Sequence, residues 1–68
     1  MYTIIYSTHF NNNYEINIID KDLMEYYFIT ISKAIDLKLI HVIDGLTGEI
    51  IHSIIDGKIT VLNGKSIN

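Results

Sequence analysis

Two histidines, His41 and His52, bracket the stretch HVIDGLTGEIIH. Imidazole suits Zn, Cu, Fe or Ni, and it changes charge near neutral pH. Gly45 and Gly48 lie between the two and read as turn residues, so the flanks read as antiparallel strands. A turn centred on Leu46 and Thr47 sets Ile43 opposite Ile50, His41 opposite His52 and Leu39 opposite Ile54. Directly opposed Cβ atoms lie about 4.5–5.5 Å apart, which brings the imidazoles together. Such a pair serves as two metal ligands, as a pH-sensitive couple that resists double protonation, or as a structural pair beside an apolar face. Two ligands fall short of the four that a structural zinc takes, and Asp44 and Glu49 point to the other face in this register. The structural or interface reading is preferred, with no metal and no cofactor expected.

Other side chains offer less. Glu15, Glu25 and Glu49 and five Asp supply carboxylates, but at strand edges, a helix start and turns. Ser7, Ser32, Ser53 and Ser66 lack the strand-turn-helix context of a nucleophile elbow. The glycines are spaced as hairpin turns and not as a phosphate loop. No enzyme is expected. Tyr26 and Tyr27 are adjacent, so both cannot point inward equally, and one is available to a partner.

The elements that must position these residues follow from alternation and turn chemistry. Residues 2–10 and 14–19 read as a hairpin around Asn11 to Asn13. Its expected register sets Phe10 opposite Tyr14 and Tyr6 opposite Ile18. Residues 20–35 read as a helix capped by Asp20, with Leu23, Tyr26, Tyr27, Thr30, Ile31 and Ala34 along its inner stripe. The run YYFITI favours strand, so an all-β meander with residues 25–32 extended is the alternative. Residues 37–43, 49–55 and 58–62 read as strands, the last two joined by Asp56-Gly57. Residues 63–68 read as a frayed tail. The expectation is a single α+β domain over residues 1–68, in the order β-β-α-β-β-β with a mostly antiparallel sheet.

Composition limits what such a domain does. Sixty-eight residues make a thin core, and without cysteine no disulfide supports it. Sixteen isoleucines and no Arg, Pro or Gln suggest an AT-rich genome, such as a low-GC bacterium or its phage. Five Lys and no Arg against eight acidic residues argue against a nucleic-acid reader. No apolar run reaches the ~20 residues of a membrane span, and no basic stretch precedes an apolar one at the start. A cytoplasmic protein with no membrane partner is expected.

In the expected register both sheet faces are apolar, and one helix covers only one. The other face calls for a partner, with self-association foremost. The expected binding residues are His41, His52, Tyr26, Tyr27, Ile40, Val42 and Ile51. The expected function is a non-catalytic, self-associating binding protein, acting as an inhibitor or anti-defence accessory of a phage or other mobile element on a host protein. The alternative is an oligomeric small-ligand binder with pockets at subunit interfaces.

Overall fold

A computed structural model describes residues 1–67. The chain forms β1 (Tyr2–Thr8), β2 (Asn13–Ile18), α1 (Lys21–Ser32), β3 (Leu37–Asp44), β4 (Ile50–Ile55), β5 (Lys58–Leu62) and β6 (Lys65–Ser66). All six strands join one sheet in the order β2-β1-β3-β4-β5-β6. β1 is antiparallel to both neighbours, so β2 and β3 run parallel on either side of it and α1 connects them. This is the small α+β fold expected from the sequence. The helix at residues 21–32 removes the all-β alternative.

Asp20 starts α1. Its backbone is extended and its Oδ2 accepts the Leu23 N–H at 2.8 Å. The inner stripe is rotated from expectation: Met24 and Phe28 are buried, with Ile31 packed beside them, whereas Leu23 and Tyr26 are exposed. The segment is apolar nearly all round, so periodicity alone does not select the buried face.

Met24 and Phe28 meet Ile4, Ile18, Ile40 and Val42 from the sheet to form the core. We call this side the helix face. The other side, with Ile5, Leu39, His41 and Ile43, is the open face, because α1 is the only helix among the described residues.

Hairpin β1-β2 pairs Tyr6 with Tyr14 and Tyr2 with Ile18, not Phe10 with Tyr14. The turn is longer than three asparagines and includes Asn11 in the left-handed region at φ 65°. The slip is an even number of residues, so the faces survive. Tyr6 and Tyr14 stack on the helix face with centroids 4.8 Å apart. Asp56-Gly57 makes the expected two-residue turn, both residues having positive φ. Asn63-Gly64 repeats that conformation, so residues 63–66 are a turn and a strand instead of the frayed tail expected there. Asn68 lies outside the described residues.

Candidate functional site

The β3-β4 hairpin begins as expected and then departs. Asp44 N–H donates to the Glu49 carbonyl at 2.9 Å, and Ile43 faces Ile50. A bulge follows, at Ile51. Beyond it Val42 faces His52, His41 faces Ser53, and Leu39 faces Ile55. A one-residue shift sends every later side chain of β4 to the other face. The two histidines are therefore on opposite faces of the sheet, and the expected cross-strand pair does not form.

His52 goes inside. It is 5% exposed and stacks on Phe28 with centroids 4.8 Å apart and an interplanar angle of 16°. Its Nδ1 accepts the Asn63 N–H at 3.3 Å, so the ring carries its proton on Nε2. The next amide, Gly64 N–H, donates to the Ile51 carbonyl at 2.9 Å. The bulge and the Asn63-Gly64 turn thus hold one another. Burial pushes the His52 pKa below the ordinary 6.5; Glu25 opposes that shift and Lys21 adds to it. The ring borders a cleft of about 220 Å³ shared with Tyr2, Lys21 and Asp44.

His41 goes outside. It stands half-buried in the middle of the open face, its Nδ1 2.8 Å from Ser53 Oγ. Ser53 is buried among its larger neighbours although no element among the described residues covers this side. Around the pair lie Ile5, Leu39, Ile43 and Val61, all half-buried, and Ile50 and Ile55, both exposed. The result is an apolar surface over β3 and β4 with a polar couple at its centre, bordered on β1 and β2 by Thr3, Ser7, Asn13 and Asn17.

The remaining expected residues scatter. Ile40 and Val42 are 0% exposed beneath α1, so they build the core and are not available to a partner. Ile51 packs beside that core. Tyr26, 62% exposed, stands on the outer side of α1 with Tyr27 edge-on to it. Tyr27 also lines a groove of about 470 Å³ between β2 and the start of α1, together with Ile16, Ile18, Ile19 and Leu23. Among the described residues no group of three or more His, Asp or Glu side chains is placed to hold a metal ion.

Sequence reasoning missed Ile5, Ser53 and Ile55 as members of the open face. The alternation of β1 carried the signal for Ile5, but nothing local marked the bulge that brings Ser53 and Ile55 across. Comparison with protein-family models, curated proteins and solved structures returns no match.

Proposed function

We propose that the protein is a non-catalytic binding module that works by covering its open sheet face with another protein. The observation that supports this is the face itself. Four strands present apolar side chains there, and the one helix among the described residues lies on the other side. Contiguous apolar surface of this kind marks interaction sites, because water is ordered over it until a partner displaces that water. The finer reading is an inhibitor that occupies a host protein on behalf of a phage or other mobile element. It draws on the small size and the AT-leaning composition.

The test is capture from a host extract by the parent and by Ile43→Lys, which places a charge on the open face without touching the core. Tyr26→Ala, on the outer helix surface, is the control. Proteins held by the parent and the control but lost from Ile43→Lys support the reading. An identical set on all three refutes it.

A small-ligand reading is favoured by the groove beside β2, whose volume falls within the ~300–1,000 Å³ of ligand sites. A ligand that binds only the folded state raises the melting temperature. A thermal-shift screen with nucleotides and divalent metals that gives no rise removes this second reading.

A further inference from the structure

We infer that the open face is covered by a second copy of the chain, stacked sheet on sheet with the twofold axis along the strands. This rests on the reading that the open face is the working surface, and it names the occupant. Two features carry it: the distribution of charge on the face and the face's size.

Opposed residues in a ladder share a face, so the pairings give the full set. Between β2 and β5 the open face carries Thr3, Ile5 and Ser7 on β1 and the mainly apolar side chains of β3 and β4 around His41 and Ser53, with no Asp, Glu or Lys. Two formal charges remain, one at each lateral side. Glu15 on β2 pairs with Ile5, and Lys58 on β5 pairs with Ile55. They are opposite in sign and separated by three strands.

Face-to-face stacking of identical sheets has two symmetric choices. An axis across the strands lays β2 over β2, so Glu15 of one copy approaches Glu15 of the other. An axis along β3 lays β2 over β5, and Glu15 meets Lys58 at both ends. Only the second choice is free of like-charge opposition. The reach is adequate. Glu15 lies in the row of Ile5, His41 and Ser53, and Lys58 lies in the next row, with Ile55 and Leu39. One such step is roughly 7 Å and packed sheets stand about 10 Å apart, so the Cα atoms lie ~12 Å apart. Extended Glu and Lys side chains span that gap.

The size fits as well. Strands β2, β1, β3, β4 and β5, about 4.8 Å apart with ~3.3 Å per residue, give a face on the order of 24 by 20 Å. Two such corrugated faces remove about 1,000 Å² or more from water, which meets the lower threshold of a biological interface. The product is a two-sheet sandwich with the helices outside and the His41–Ser53 couples inside. A host target that uses the same face competes with the second copy, so binding strengthens on dilution of the dimer.

The experiment is sedimentation of the purified chain over a dilution series at low ionic strength, where exposed charges act least screened. The parent is expected to pass from dimer to the 7.8 kDa monomer with a single dissociation constant. Glu15→Lys and Lys58→Glu each turn two attractions into repulsions and are expected to weaken the dimer by about tenfold. The double exchange restores the crossed pairing and returns the constant to within roughly threefold of the parent. Both side chains are exposed, and the far-ultraviolet circular dichroism of each variant checks that the fold is kept. A parent that stays monomeric throughout overturns the proposal, while capture that depends on Ile43 still decides the host-protein reading separately. Single variants that dimerise like the parent, or a double variant that fails to recover, overturn it too.

Discussion

Replacing His52 with glutamine should flatten the pH dependence of folding. The ring is buried against Phe28, and its Nδ1 is used as an acceptor by the Asn63 amide. A proton placed on Nδ1 would face that N–H with no acceptor between them. Burial also lowers the folded pKa below 6.5, with Glu25 opposing and Lys21 assisting; Asp44 and Tyr2 border the same cleft. Above 6.5 the folded and unfolded chains both hold a neutral ring, and His52 adds no pH dependence. As the pH falls through 6.5 the unfolded chain takes up a proton that the folded chain refuses, so stability drops. The slope is at most ~1.4 kcal/mol per pH unit, and it vanishes once the folded ring is itself protonated. The cleft at its border admits some solvent, so the loss toward acid stays below that limiting slope. His52→Gln keeps a carbonyl oxygen for the Asn63 amide and does not titrate. It loses the stack on Phe28 and should be less stable near neutrality, with a smaller loss toward acid. Urea unfolding across this window, read as free energy extrapolated to water, measures both lines. Parallel lines for parent and variant would refute the assignment of the acid sensitivity to His52.

Three further outcomes are expected. Met24→Ala opens a cavity at a fully buried site and should cost about 2–5 kcal/mol, a large share of the stability of so short a chain, seen as a fall in the urea midpoint. Asp20→Ala removes the acceptor of the Leu23 amide and should cost ~1 kcal/mol by the same measurement. Gly45→Ala sets a Cβ 2.7 Å from the Met1 carbonyl oxygen, which also accepts the Gly45 N–H. It should release the N-terminus, raise the hydrogen exchange of that amide and cost about 1–2 kcal/mol.

Element types and order were legible because each rests on local chemistry. Asp20 caps, Asp56-Gly57 turns, and β1 alternates cleanly. The phase of two elements was not legible, for one shared reason. In IIHSII, doublets at Ile50-Ile51 and Ile54-Ile55 flank the polar centre, so either register buries one isoleucine of each doublet. Hydrophobicity then cannot choose, and the bulge is fixed instead by the amides of Asn63 and Gly64, which lie outside the hairpin. In YYFITI the apolar run likewise surrounds the helix, so contact with the sheet selects Met24 and Phe28. The Asn63-Gly64 turn was readable by the same rule as Asp56-Gly57.

The place of β1 in the sheet sets a hazard during synthesis. It is made before both β2 and β3, yet it ends up between them. β2 covers one edge early. The other edge waits for β3, which leaves the ribosome only after the whole of α1. In that interval the uncharged, proline-free stretch YTIIYST presents an unpaired edge of strong β-formers. Any β3 nearby satisfies it, including one from another chain. Slow elongation or crowded expression therefore favours strand-exchanged and aggregated species, and the same contact that completes the native sheet is the one a misassembled product uses.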